Sequence, residues 1–387
     1  MRNSLRFAAV TLALLLAAAS ANLRGELPML TAQAQGATQR LVISSVDGKA
    51  RRALPLVGES NRVPMWSPDG KLILFQVREN GRNVIAVVQS DGHAPRVFRA
   101  AESASNQSVR WSPDSRTIGF LDPSRREFRV LDVASGNIRT VSTDSVAQVG
   151  VWIWRPDGRS IAAVMTTPGA SPGLRFLRRR VDEITIEGTR RPLLDTTAMR
   201  GVPGVTFIDA YTIFWRGDSA AYRVRLDGGP PRRLSELAGT TRPLTGVHTT
   251  APTSDMWAGL IPGSLLEGGQ IEFISARTGE RRVVAVPFGP MIGPSPEWMP
   301  DGRELVVAGL PPVDTAGLDS ATLRLARAGD STTVSQLRAR TAAMVKLYRV
   351  PVGGGAPFSI SEFAATDGWT HVSPDGKFIV YGVIGSR

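Results

Sequence analysis

Along most of its length the chain repeats one pattern: a short apolar run, two or three turn residues, then another apolar run. Leu72 to Val77 reads as a buried strand. Asn80-Gly81 behind it is a hairpin signal, because both central positions tolerate positive φ. Asn83 to Gln89 is the next strand, Ser90-Asp91-Gly92 turns the chain again, and Arg96 to Arg99 closes the group. Ahead of them Arg62 to Trp66 supplies an innermost strand, so the pattern predicts a compact four-stranded antiparallel unit.

The unit recurs. Trp66-Ser-Pro-Asp-Gly-Lys-Leu-Ile-Leu-Phe75 returns at Trp111 to Phe120, Trp154 to Ala163, Trp298 to Val307 and Val372 to Tyr381. Worn copies stand at Thr206 to Phe214 and, faintly, at Ser254-Asp255. The aspartates fall at 69, 114, 157, 209, 255, 301 and 375, so the spacings are 45, 43, 52, 46, 46 and 74 residues. A period in the forties built of short strands marks a propeller blade. Proline presets φ and glycine accepts a left-handed conformation, so Pro-Asp-Gly fits a tight turn. The motif Asp is then an acceptor for backbone N–H groups rather than one of a row of catalytic carboxylates, and the motif Trp packs between blades.

The two ends of the chain complement each other. Trp369 to Ser373 and Phe378 to Ile384 make an inner half-blade, while Arg40 to Ser45 and Arg51 to Val57, around Asp47-Gly48, make an outer half. Joined, they give a seventh blade and leave no open edge at the seam. The expected fold class is all-β, a seven-bladed β-propeller over residues 40–387. Its ring is closed by N-terminal outer strands pairing with C-terminal inner strands, which would make the chain complete. Six blades is the alternative, if the copies near Asp209 and Asp255 share one. Residues 310–345 are an insertion in the sixth unit, within which Thr333 to Met344 is spaced for a short helix.

Before the repeats, Arg2 and Arg6 precede the apolar run Phe7 to Ala19, and Ala19-Ser20-Ala21 offers a small-x-small cleavage pattern. Residues 1–21 are read as a cleaved signal peptide, with a cut after residue 34 as the alternative and residues 22–39 as a linker. An apolar run of about 15 residues is short of the roughly 20 that span a bilayer. No later stretch reaches that length, so the expected location is periplasmic or secreted, with no transmembrane segment after cleavage.

A formal net charge of +12, carried by 42 Arg against 4 Lys, raises the question of nucleic acid. The arginine pairs are strewn along the chain, however, and several open an outermost strand: Arg51-Arg52, Arg96, Arg232-Arg233 and Arg281-Arg282. Charge there deters edge-to-edge pairing, so these residues read as a solvated perimeter and no nucleic-acid partner is expected. The absence of cysteine excludes disulfides, thiolate metal sites and cysteine nucleophiles. His93, His248 and His371 are the only histidines, and no ligand-like spacing recurs, so no metal or cofactor is expected.

Through Trp66-Ser-Pro-Asp-Gly-Lys and its echoes, with outer strands such as Tyr222-Arg-Val-Arg-Leu-Asp-Gly-Gly229, the chain resembles the TolB-type, WD-like propeller repeat family over about residues 40–387. The resemblance implies the fold more than an activity. Proteins of this kind include a periplasmic component of the Tol–Pal envelope system, which works through protein contacts. They also include the propellers of prolyl oligopeptidase-like and dipeptidyl-peptidase-like serine hydrolases, which filter substrate for a separate α/β-hydrolase domain. This chain departs from both: its repeats begin near residue 40, where the TolB kind has another domain, and they run on to residue 387 with no stretch for a hydrolase.

Inner strands and the loops entering them line the channel mouth of a propeller, where variable polar groups gather. Those positions are Asn61, Arg62, Asn106, Gln107, Gln148, His248, Glu297, Asp367, Trp369 and His371. The mixture has no fixed sign and suits a protein or peptide partner, or a glycan. The expected function is an exported, non-catalytic envelope module binding there. The alternative is a propeller enzyme, a lyase or peptidase-like hydrolase, using a channel histidine as base.

Overall fold

The computed structural model describes residues 38–385 apart from 103–108, 123–126, 144–147, 168–177, 196–203, 217–220, 228–231, 234–247, 252–255, 262–267, 276–279, 291–295, 312–317, 329, 331, 334–335, 338–344 and 361–364. The described strands form seven antiparallel sheets, numbered here by their innermost strands. Sheet 1 runs Ser60–Trp66, Leu72–Glu79, Arg82–Gln89, Arg96–Glu102. Sheet 2 runs Val109–Trp111, Thr117–Asp122, Glu127–Asp132, Ile138–Thr143. Sheet 3 runs Gln148–Trp154, Ser160–Thr167, Arg178–Thr185, Arg190–Asp195. Sheet 4 runs Gly204–Asp209, Thr212–Arg216, Ala221–Arg225, Arg232–Arg233. Sheet 5 runs His248–Thr250, Met256–Ile261, Gly269–Ser275, Arg281–Val286. In sheet 6 two short pieces, Gly289–Pro290 and Glu297–Trp298, pair with Glu304–Leu310, followed by Lys346–Pro351 and Phe358–Ser359. Sheet 7 runs Ala365–Val372, Phe378–Gly385, Thr38–Ser45, Arg51–Ala53, with Thr38 opposite Gly385 and Ser45 opposite Phe378.

The repeated motif earns its regularity in its turns. Ser67 Oγ donates to Asp69 Oδ1 at 2.6 Å and accepts the Leu72 N–H at 2.9 Å, while Asp69 Oδ1 accepts the Lys71 N–H at 3.1 Å. The same three bonds recur at Ser112-Asp114 and Ser373-Asp375. They recur once more at Ser45-Asp47, in a turn between the two outer strands of sheet 7. The aspartates therefore hold backbone, as an Asx-type acceptor does. At Asn80-Gly81 the backbone adopts φ of 49° and 77°, the pair of positive values that a two-residue hairpin requires.

Each motif tryptophan sits on a seam. Trp66 packs with Leu41, Ile43 and Val380 of sheet 7, Trp111 with Leu74 and Ile85 of sheet 1, Trp154 with Phe128 and Val130 of sheet 2, and Trp298 with Ile271 and Phe273 of sheet 5. An aromatic side chain of this size buries ~150–250 Å², worth ~4–6 kcal/mol at ~25 cal/mol/Å². The core is thus distributed between sheets. Two indoles also donate backward, Trp111 Nε1 to Met65 O at 3.2 Å and Trp154 Nε1 to Arg110 O at 3.3 Å. The remaining innermost strands touch in succession, sheet 3 to 4, 4 to 5, 5 to 6, 6 to 7, and 7 to sheet 1.

Arginine side chains reach in one direction round the rim. Arg52 of sheet 7 donates to Ser90 O of sheet 1, and Arg96 of sheet 1 donates to Val133 O at 2.6 Å and Ala134 O at 3.3 Å beside sheet 2. Arg155 of sheet 3 donates to Ala210 O of sheet 4 and lies 4.3 Å from the Tyr211 ring centroid. Arg282 of sheet 5 donates to Gly353 O of sheet 6, and Arg349 of sheet 6 to Val46 O of sheet 7 at 3.3 Å. These residues clamp neighbouring sheets, which corrects the reading of Arg51-Arg52, Arg96 and Arg281-Arg282 as a merely solvated perimeter.

Three boundaries also differ from the sequence reading. The outermost strand of sheet 7 ends at Ala53 rather than Val57, because Pro55 has no N–H to continue the ladder. The strands around Asp209 and those around 255 belong to separate sheets, although Ser254-Asp255 lie outside the described residues. In the insertion, the helix is Ser320–Arg327, capped by Asp319, whose Oδ1 accepts the N–H groups of Ala321 and Thr322 at 2.9 and 2.8 Å. Within the expected Thr333 to Met344 segment, Thr333 and Gln336–Leu337 are helical, and Thr333 and Leu337 are buried. No helix among the described residues is long and apolar enough to cross a membrane. The proposed signal and linker lie outside the described residues, but for the first strand's start.

Candidate functional site

Three inner strands bring ionisable side chains to one place. Glu297 lies immediately before the motif aromatic of sheet 6, His371 before that of sheet 7, and Arg110 before Trp111 of sheet 2. His371 Nε2 stands 3.7 Å from Glu297 Oε1. Their side chains keep 27% and 29% of their surface exposed, so water reaches a pair that protein encloses on most sides. The other ring nitrogen, Nδ1, is 3.4 Å from the Trp66 N–H and 3.1 Å from Val372 O. When Nδ1 accepts from Trp66, the ring proton sits on Nε2 and faces the carboxylate.

Arg110 completes the cluster. Its guanidinium lies 6.0 Å from the Trp152 ring centroid, and its Nε is buried with no hydrogen-bond acceptor among the described residues. Burial pushes the Glu297 carboxyl above its ordinary value, with the charges of His371 and then Arg110 pulling it back. Burial also draws the Arg110 guanidinium down, opposed by Glu297. The two residues thus sense each other across sheets 2 and 6. Neither has a close, direct partner that repays its desolvation.

The other predicted site residues are distributed differently. Asn61 is fully buried and its Nδ2 donates to Pro55 O at 3.1 Å, so it braces the start of its strand instead of meeting solvent. Arg62 and Trp369 are half-buried on the innermost strands of sheets 1 and 7. Gln148 and His248 open the innermost strands of sheets 3 and 5, and Asp367 lies within that of sheet 7, but their side chains are outside the described residues. Asn106 and Gln107 lie outside them altogether. Of the ten positions, Glu297 and His371 are brought into contact. Arg110 escaped the sequence reading, although the position preceding the motif aromatic, read through the copies as Met65, Arg110, Ile153, Glu297 and His371, carries the signal.

The group can hold an anion at Arg110 and move a proton between Glu297 and His371. Among the described residues no cluster of three or more histidines, aspartates or glutamates could hold a metal ion. Gly169-Ala-Ser-Pro-Gly173 has the letters of a hydrolase nucleophile elbow, but it joins two antiparallel strands of sheet 3, not the strand and helix that an elbow needs.

The sequence matches no family model and no curated protein. Among solved structures it is similar to an oligogalacturonate lyase in complex with manganese, at 13% identity and a TM-score of 0.58 over 84% of this chain and 90% of that one. It is similar also to the oligogalacturonate lyase of Vibrio parahaemolyticus, at 12% identity and a TM-score of 0.58 over 89% and 97% of the two chains. The β-propeller domain of the Trilobed protease from Pyrococcus furiosus, described as having an open velcro topology, matches at 14% identity and a TM-score of 0.56 over 84% and 90%. Identities this low establish the fold alone. That fold is a β-propeller, as the repeats implied.

Proposed function

We propose that the chain is an exported seven-bladed propeller, its ring closed by its own two ends, which acts as a non-catalytic envelope module and binds a protein, peptide or glycan at its channel mouth. Seven separate sheets, the eight-residue pairing of Thr38–Ser45 with Phe378–Gly385, and the succession of touching inner strands support the closed ring. Export rests on the Arg2 to Ala21 leader pattern.

The observation that carries the binding reading is the meeting of Arg110, Glu297 and His371 from three sheets with hydrogen-bonding capacity left unfilled. Affinity capture from envelope extract tests it, using the native protein beside a double variant, Arg110→Gln with His371→Gln. A partner held by the first and lost by the second is the expected result, and equal retention overturns the channel as the site.

A second reading is favoured by the Glu297–His371 pair itself. A carboxyl pushed upward by burial, 3.7 Å from an imidazole, is arranged as an acid–base pair is, and a lyase or peptidase-like hydrolase would use it. Turnover of a glycan or peptide substrate that disappears in Glu297→Gln establishes this second reading in place of the first.

A further inference from the structure

We propose that the Arg110–Glu297–His371 cluster recognises a monoanionic carboxylate that carries a hydrogen-bond donor beside the acid group, a hydroxyl or an ammonium. The inference rests on the reading of the channel as a binding site and names the chemistry that the site accepts.

Arg110 supplies the anion contact. A guanidinium is a rigid fork of N–H donors that matches the two oxygens of a carboxylate, and here it is backed by the Trp152 ring, with Nε buried and lacking an acceptor among the described residues. His371 adds a second donor when its proton is on Nε2, a nitrogen that stands 3.7 Å from Glu297, too far for a good hydrogen bond between them. An oxygen placed between these donors repays desolvation that nothing in the protein now repays.

Glu297 sets the discrimination. A second carboxylate in the same enclosure repels a dianion such as phosphate, and its own lone pairs call for a donor. A ligand with an acid group alone leaves Glu297 as it is, whereas one with an adjacent O–H or N–H⁺ satisfies both sides of the cluster. The combination of a cationic fork and an acceptor a few ångströms away therefore selects for a pair of functions on one ligand, not for charge in general.

The test uses the full chain and four probes: L-lactate, L-alanine, propionate and inorganic phosphate, titrated by calorimetry and by the rise in thermal midpoint that binding to the native state produces. Lactate or alanine is expected to bind at least about tenfold more tightly than propionate, with phosphate weakest, the first two probes separating a hydroxyl from an ammonium as the donor. Arg110→Lys should weaken the preferred probe by about tenfold, because it keeps the charge and loses the fork. Glu297→Gln should bring propionate and phosphate closer to it. Equal binding of lactate, alanine and propionate, or no binding of any of them to the native protein, overturns the proposal, and so does an Arg110→Lys variant that binds unchanged. Partner capture that still depends on Arg110 while none of these acids competes leaves the channel reading standing and removes only this refinement. Capture insensitive to Arg110 removes the channel reading itself.

Discussion

Replacing Arg96 tests whether the rim arginines hold sheets together. Arg96 reaches from the outer strand of sheet 1 to two carbonyls beside sheet 2, Val133 O at 2.6 Å and Ala134 O at 3.3 Å, and its guanidinium lies 5.0 Å from the Phe98 ring centroid. Two charge-assisted bonds to carbonyls that water refills after their loss are worth about 1–1.5 kcal/mol together. The exposed cation–π contact adds about 0.5–1 kcal/mol. Arg96→Ala should therefore destabilise by about 2 kcal/mol, and Arg96→Lys, which keeps the stem and one bond, by about 1 kcal/mol. Arg99, three residues on, is the internal control: it pairs only with Glu79 within sheet 1, at 2.9 and 3.1 Å, and its side chain is 70% exposed. Arg99→Ala should be worth about 0.5 kcal/mol, as exposed pairs are. The readout is the urea midpoint of the three variants at a common slope. If Arg96→Ala and Arg99→Ala fall within about 0.5 kcal/mol of each other, the inter-sheet bonds contribute nothing beyond ordinary surface charge and the clamp argument fails.

Other outcomes follow from the same geometry. A Cβ on Gly119 would come within 2.8 Å of the Trp152 ring and 3.0 Å of Phe128 and Trp154, so Gly119→Ala should lower stability by about 1–3 kcal/mol in thermal or urea unfolding. Hydrogen bonds from the Ser45 hydroxyl and the Lys49 N–H hold the Asp47 carboxyl at about 2, and the Ser373 hydroxyl and Lys377 N–H likewise lower Asp375. Groups depressed in the folded state stabilise it above their unfolded value, so the turns should lose this support as pH falls from about 4 to about 2. Asp47→Asn should flatten that part of the acid-unfolding curve. Glu297 has the opposite sign: its raised value makes the fold less favourable as pH climbs from the ordinary glutamate range through the elevated one. Glu297→Gln should therefore be more stable than the native protein at pH 8 and lose the advantage near pH 4, and a variant less stable at pH 8 would show that its pull on His371 and Arg110 outweighs burial.

The fold was legible because its information is local. Each turn carries its own Ser, Asp and Gly, and each seam its own Trp, so reading ten residues at Trp66 explains ten at Trp111. Boundaries were legible only where a residue forces them: Asn80-Gly81 turned as expected, while the strand from Arg51 was overrun because Pro55 was not weighed against it. The split innermost strand of sheet 6, with Gly289–Pro290 and Glu297–Trp298 on one partner, has no mark in the repeat. The site was half legible. Glu297 and His371 were chosen for polarity near the channel, but Arg110, from sheet 2, meets them only through the relative placement of sheets far apart in sequence. The rim clamps were missed for the same reason, since Arg96 and its acceptor Val133 O belong to different repeats.

The pairing of Thr38–Ser45 with Phe378–Gly385 also fixes when the molecule can finish folding. The first strand leaves the ribosome or translocon long before its partner exists, and bringing the two together restricts a chain of over three hundred residues, at an entropic cost of about 5 kcal/mol. Until then the intermediate is an arc with two bare edges. Its final step is a single zippering of head to tail, and a chain clipped of its last strand stops there, with an edge free to capture the tail of a second copy.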